Sequence, residues 1–351
     1  MGRAFFGPDQ TGMSMSVSLF ESSTEIEARE LAEFQGQVAV LAGTRYEVDR
    51  VVARGGMSVV LLAFDRMEGK PVALKLLDPK QGAVLENRER FRREAMISAR
   101  LAHPHIVPCH DFLHRNNLAM AVMRYIPGQS LGDLLPEGQR LSVDEVLRIV
   151  IAIADALAHA HAGGVVHRDV KPANILLHAD GGWPFLTDFG IATLRTSEHS
   201  RSEVYKGFGT PAFMSPEQAL GRWDADARTD VYSLGLVAYR ALAGRLPFTG
   251  ESAISLAAQR TIKDAPSLRA LAPEVPPVLA AIIDRCLARN PEKRWRSAAA
   301  LRDALKRYRA HADGHGIVPG WLGGLFRKVP VAPALVGHAA GWSVLWMWFR
   351  R

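Results

Sequence analysis

Residues 165–190 read VVHRDVKPANILLHADGGWPFLTDFG, and the fixed positions in this stretch decide the fold. It holds His167-Arg168-Asp169, then Lys171 and Asn174, and further on Asp188-Phe189-Gly190. Phosphoryl transfer requires a carboxylate to orient a hydroxyl nucleophile, a cation near the moving phosphate and oxygen ligands for Mg²⁺. Asp169, Lys171, Asn174 and Asp188 supply all of these within one short segment. A chance coincidence of so many fixed positions is negligible.

Upstream of this stretch the texture is alternating and β-branched. The runs YEVDRVV (46–52), SVVLLAFD (58–65) and PVALKLL (71–77) are separated by glycine-containing turns and predict a small antiparallel sheet. Residues 86–101 predict a charged amphipathic helix that stops before His103-Pro104, and residues 106–113 and 118–125 predict two further strands. Past Pro127-Gly128 the pattern turns helical. Ser142 and Glu145 form a capping box for a helix running to Ala162, and Gly163-Gly164 terminates it. Further helices are predicted over residues 230–243, 253–262, 278–288 and 298–311, and no internal repeat is present.

Between the first two predicted strands lies Ala53-Arg54-Gly55-Gly56-Met57-Ser58. Glycines let backbone N–H groups approach a phosphate with no Cβ in the way. Lys75 sits near the end of the apolar run that follows, where a lysine is costly unless paired. Glu86, Glu89 and Glu94 on the next predicted helix are its candidate partners.

H-R-D-x-K-x-x-N followed by D-F-G, with the glycine turn and Val72-Ala73-Leu74-Lys75, resembles the protein kinase family, and Lys171 resembles its Ser/Thr branch. Gly-Gly-Met-Ser, His-Pro-His-Ile-Val and Ser-Pro-Glu-Gln-Ala look most like the bacterial Hanks-type (eukaryotic-like) serine/threonine kinases. The resemblance covers residues 46–308. It implies an α+β, two-lobed protein-kinase fold with a small antiparallel-sheet N-lobe (about 45–126) and a larger helical C-lobe (about 127–310). It also implies ATP with Mg²⁺, for which Mn²⁺ is a substitute, and Ser or Thr hydroxyls of proteins as acceptors.

Residue by residue, the resemblance sets Ala53, Arg54, Gly55, Gly56, Met57 and Ser58 against the nucleotide phosphates. Val60 and Ala73 sandwich the adenine, Met123 backs the pocket, and the linker Arg124-Tyr125-Ile126 pairs with the base through its backbone. Lys75 meets the α- and β-phosphates, and the pattern Phe91-Arg92-Arg93-Glu94 favours Glu94 as its ion-pair partner. Asp169 orients the acceptor hydroxyl, Lys171 neutralises charge on the γ-phosphate, and Asn174 and Asp188 hold the metal. His167 and Phe189 are expected in the core. Two positions depart from the family pattern. Ala53 and Ser58 replace its first and third glycines, which bears on loop flexibility and nucleotide affinity. Arg124 replaces a usual acidic residue, of little consequence for a linker that binds through backbone atoms.

Residues 191–214 resemble an activation segment closed by Ser215-Pro216-Glu217. Arg168 beside Asp169 implies that a phosphorylated loop residue pairs with it and orders the segment. Thr193, Thr196, Ser197, Ser200, Ser202 and Tyr205 are the candidate acceptors, and similarity to bacterial members favours Ser202. Thr210 fits a structural role next to Asp169 and Lys171. Glu217 is expected to be buried against Arg294, and Asp230 to bond the catalytic-loop backbone.

Composition sets the outer bounds. The chain has 351 residues, 43 Lys and Arg against 36 Asp and Glu, and a net charge of +7. That balance is mild, and no clustered basic stripe suggests nucleic acid. The two cysteines, Cys109 and Cys286, cannot build a disulfide framework or a zinc site, and they fit a reduced cytoplasmic protein. The N-terminus lacks a basic region followed by a sustained apolar core, and Phe6 breaks a myristoylation pattern.

Residues 1–44 read as a leader with one helix over residues 25–40, residues 45–310 as the kinase unit, and residues 311–351 as a Trp-rich tail. Residues 329–349 carry no formal charge and hold Trp342, Trp346 and Trp348, which suits a membrane segment. Pro330, Pro333 and His338 suit instead an apolar tail packed on the protein or a partner, and both readings stand. Family members often dimerise through the N-lobe, so a dimer is open. Two rivals for the function remain: a small-molecule kinase of the same fold, and a pseudokinase acting as a nucleotide-binding scaffold. The scaffold predicts loss of Lys75, Asp169 or Asp188, and all three are present.

Overall fold

The computed structural model describes residues 23–189, 211–222, 225–250 and 253–312. The leader before residue 23, the predicted phosphoacceptors and Thr210, and residues 313–351 of the Trp-rich tail lie outside the described residues. Helix α1 (Ser23–Ala42) precedes strands β1 (Tyr46–Arg54), β2 (Ser58–Asp65) and β3 (Lys70–Leu77). Helix α2 (Leu85–Arg100) follows, then β4 (Cys109–Arg115) and β5 (Leu118–Arg124). The five strands form one antiparallel sheet in the order β1-β2-β3-β5-β4.

Side chains alternate across a strand, so each face of β3 has its own partner. Val72, Leu74 and Leu76 face outward into a cluster with Val38 of α1, where Phe34, Leu41 and Ala42 also pack. Ala73 and Leu77 face the other way, toward Phe91 and Ala95 of α2. The sheet is therefore covered on both sides. α1 is more than a leader: Val38 is fully buried, and burying such a side chain contributes about 1.5–3 kcal/mol.

The second lobe begins with β6 (Gly128–Ser130) and α3 (Val143–Ala162), followed by β7 (Ile175–His178) and β8 (Pro184–Leu186). Ser142 accepts from Glu145 N and Glu145 from Ser142 N, the reciprocal cap predicted from the sequence. The three short strands form a separate sheet, β6-β7-β8. Helices α4 (Arg228–Ala243), α5 (Ala253–Ile262), α6 (Pro277–Cys286) and α7 (Ala298–Ala312) complete the lobe.

α4 is buried along nearly its whole length, and its buried polar residues Thr229, Asp230 and Ser233 are each hydrogen-bonded. Two glycines fit it into place. A Cβ on Gly235 would lie 2.4 Å from Cys286 Cβ, so only glycine lets α4 and α6 approach this closely. Gly244 ends α4 at φ 77°, in the left-handed region that glycine tolerates. Among the described residues no helix is long and apolar enough to cross a membrane.

Candidate active site

The two lobes meet around Lys75. β3 carries Lys75 inward, on the same face as Ala73, and α2 brings Glu94 to it. Lys75 Nζ donates to Glu94 Oε1 at 2.6 Å and to Asp188 Oδ1 at 2.9 Å. Of the three candidate partners on α2, the structure places Glu94 here. Glu86 pairs with Arg90 and Glu89 with Arg92 on the exposed helix surface. Burial opposes the charge on Lys75, yet Asp188 and Glu94 together hold the ammonium above its ordinary pKa. Burial pushes Glu94 upward, with Lys75 opposing it. Asp188 is held below its usual value because Lys75 outweighs the burial that would raise it.

Asp188 and Arg168 both adopt left-handed backbone, at φ 58° and φ 64°, which costs a non-glycine residue of order 1–3 kcal/mol. The surroundings of Arg168 fix it. Asp230 accepts from His167 N at 2.8 Å and from Arg168 N at 2.7 Å, and Gln218 Nε2 donates to Arg168 O at 2.8 Å. Asp230 is fully buried, and His161 Nε2 lies 2.8 Å from its Oδ2. His167 is likewise buried: Nδ1 accepts from Asp169 N, Nε2 bonds Thr187 O, and the ring lies 4.6 Å from that of Phe189. His167 thus ties the backbone at Asp169 to the backbone just before Asp188.

Asp169, Lys171 and Asn174 form one network. Asp169 Oδ2 accepts from Lys171 Nζ at 2.8 Å and from Asn174 Nδ2 at 3.0 Å. Asn174 Nδ2 also donates to Asp169 O at 2.8 Å. These two bonds use the amide nitrogen and leave the amide oxygen as the group able to face a cation. Asn174 oxygen and the Asp188 carboxylate are hard donors, the kind that suit Mg²⁺.

Above this network the glycine turn joins β1 to β2, with Gly55 N donating to Ser58 O at 2.8 Å. A Cβ on Gly56 would meet nothing within 4 Å, and neither Gly55 nor Gly56 has positive φ. The fold itself does not demand glycine at either position. Val60 pairs with Lys75, and Ala73 with Met123, so the four residues share the inner side of the sheet. Met123 and Ile126 are buried, whereas Arg124 is exposed and stacks over Phe185 at 5.4 Å.

Downstream, Glu217 is clamped by Arg294 through Nη1–Oε1 at 2.6 Å and Nη2–Oε2 at 2.8 Å, in the buried interior. Sequence reasoning missed three residues nearby. Arg260, buried on α5, donates to Ala212 O at 2.5 Å and to Met214 O at 3.2 Å. Ser233 Oγ donates to the intervening Phe213 O at 2.8 Å. Three successive carbonyls just before Ser215-Pro216-Glu217 are therefore held by side chains of α4 and α5. An arginine inside a predicted amphipathic helix carries no signal of this, and Gln218 was legible only as part of Ser-Pro-Glu-Gln-Ala.

Residues 46–305 match the family model described as the protein kinase domain. The chain belongs to the protein kinase family. The chain is 38% identical over 279 residues to serine/threonine-protein kinase PknA of Mycobacterium tuberculosis, covering 78% of this chain and 63% of the relative. It is 37% identical over 265 residues to serine/threonine-protein kinase PrkC of Bacillus subtilis, covering 75% and 40%. The crystal structure of the Mycobacterium tuberculosis PknI kinase domain superposes with a TM-score of 0.59 at 33% identity, covering 75% of this chain and 96% of that one. These relatives place the chain with the bacterial Hanks-type kinases. It spans about half the length of the curated relatives it matches.

Proposed function

We propose that the chain is a serine/threonine protein kinase that transfers the γ-phosphate of ATP to hydroxyls of protein substrates and of its own activation segment. The observation that carries this reading is the convergence of Lys75, Glu94 and Asp188 facing the Asp169–Lys171–Asn174 network. Lys75 binds the α- and β-phosphates, with Glu94 holding its side chain in place. The turn from Ala53 through Arg54, Gly55, Gly56 and Met57 to Ser58 presents backbone N–H groups to the phosphates. Val60, Ala73 and Met123 take the adenine, and the backbone of Arg124 and Ile126 pairs with its edge.

In the transfer step the acceptor hydroxyl oxygen forms a bond to the γ-phosphorus while the bond from that phosphorus to ADP oxygen breaks. The hydroxyl proton passes to the Asp169 carboxylate, and Lys171 neutralises charge on the moving phosphoryl group. Asn174 and Asp188 would hold Mg²⁺, or Mn²⁺ in its place. Such a cation would supply neutralisation of phosphate charge.

Incubation with labelled ATP, Mg²⁺ and a generic protein substrate tests the reading. Phosphoserine or phosphothreonine that disappears in Asp169→Asn supports it. Nucleotide binding with no transfer by the unaltered chain sinks it in favour of a scaffold. Ser202 as the activating site is checked by phosphosite mapping of the same sample.

Residues 45–310 are assigned to the catalytic unit, which works in the cytoplasm. Residues 329–349 are assigned to apolar contact, with the protein or a partner on one reading and with a membrane on the other. Fractionation of the full chain against a chain truncated at residue 312 separates them, and light scattering on the same pair reports a dimer.

A further inference from the structure

Helix α1 lies outside the matched span of residues 46–305, yet it reaches the nucleotide turn. Gln35 seats it on β1: Nε2 donates to Tyr46 O at 3.2 Å, and Oε1 accepts from Val48 N at 2.8 Å. The buried Val38 locks the helix to the outer face of the sheet. On this platform Glu30 and Phe34, one turn apart, share a face. Both meet one guanidinium. Glu30 Oε2 accepts from Arg54 Nη2 at 2.5 Å, and Arg54 Cζ lies 5.8 Å from the centre of the Phe34 ring.

Arg54 is the last residue of β1 and the one directly before Gly55. Its side chain points away from the cleft to α1, while its backbone leads into the turn that faces the cleft. A segment held on one side loses less freedom when it closes on a ligand, and this preorganisation is gained as affinity.

We propose that α1 is a brace for the nucleotide-binding turn, with Glu30 and Phe34 as positioning residues that act on ATP through Arg54. The inference rests on reading the turn as the ATP phosphate site. The ion pair is half-exposed, at 53% and 36% for its two side chains, so its effect is modest and weakens with salt.

The test uses the purified full chain, with a fluorescent ATP analogue and Mg²⁺ for nucleotide affinity and thermal melting for stability. Glu30→Arg and Phe34→Leu are each expected to weaken analogue binding roughly two- to fivefold at low salt, with the change in KM for ATP rather than in kcat. Arg54→Glu behaves likewise, and Glu30→Arg combined with Arg54→Glu recovers affinity. Glu33→Gln, exposed on α1 and bonded to Gln37 rather than to Arg54, leaves nucleotide affinity in place, whereas Val38→Ala loosens the platform and lowers melting temperature and affinity together. Unaltered affinity in Glu30→Arg and Phe34→Leu overturns the brace, as does an equal loss in Glu33→Gln or additive losses in the charge-swapped double variant. An unaltered chain that binds no analogue overturns the ATP reading and the brace with it, which separates the two failures.

Discussion

Lys75 Nζ lies 2.9 Å from Asp188 Oδ1, although 113 positions of sequence separate the two residues. One stands on a central strand of the N-lobe and the other at the end of the catalytic stretch, in left-handed backbone. With Glu94 at 2.6 Å, the ammonium bridges two carboxylates that would otherwise repel each other. On the proposed function, a nucleotide entering here meets an ammonium already oriented by Glu94 and Asp188.

Lys75→Met should therefore remove one preorganised charge and leave Glu94 and Asp188 facing each other. Phosphoryl transfer is expected to fall about 10²–10³-fold, the usual effect of losing one electrostatic contact to developing charge. Steady-state assays with ATP and a protein substrate check this. Activity within threefold of the unaltered chain would show that Lys75 does not meet the phosphates.

The carbonyls of Ala212, Phe213 and Met214, just before Ser215-Pro216-Glu217, are fixed by Arg260 and Ser233. Arg260→Met removes two charge-assisted bonds, each of a kind that contributes about 1.5–3 kcal/mol. The expected outcome is a KM for protein substrate raised about tenfold, with KM for ATP unchanged. Equal changes in both constants would place Arg260 in general stability instead. Ser233→Ala should act in the same direction more weakly.

Acid sensitivity follows from two paired carboxyls. Burial alone would raise Glu217, but the two bonds from Arg294 outweigh it and hold its pKa below the ordinary glutamate range. Asp65 is held low by its bonds from Arg45. Between each folded value and the ordinary one, the unfolded chain binds more protons than the folded chain. The contribution to stability is thus complete above about pH 4.5 and is lost as pH falls through the folded values. Melting temperature should drop between pH 5 and pH 3, with a shallower slope in Glu217→Gln. Breaking this buried pair with Glu217→Ala should cost about 3–5 kcal/mol at pH 7 by denaturant titration.

Cys109 and Cys286 are both buried, and burial pushes the Cys109 thiol up to about 11 and Cys286 higher still. Thiols that stay protonated are poor nucleophiles. A thiol reagent at pH 7.5 should label neither in the folded chain and both in denaturant. Rapid labelling under native conditions would contradict the packing of α4 on α6 around Cys286.

Much of this architecture was legible beforehand because the long elements repeat a period. The five N-lobe strands, the capped helix α3 and the buried helix α4 each follow an apolar spacing that local physics enforces. The predicted strand at residues 106–113 instead runs Cys109–Arg115, because His103 and His105 bond within the preceding loop and along β8. The short strands β6, β7 and β8 escaped notice, since three or four residues show no period and are held by tertiary pairing. Helix α1 was expected over residues 25–40, but nothing in its spacing pointed to the glycine turn.

Taken alone, the order of residues determined which chemistry is available: a lysine, two aspartates and an asparagine in a spacing that suits phosphoryl transfer. Tertiary structure decided which of three glutamates meets Lys75, which amide atom of Asn174 bonds Asp169, and that Arg260 holds two residues far from it in the chain. The division has one physical cause. Residue type and period act locally along the chain, whereas pairing, burial and charge orientation exist only once distant segments have packed.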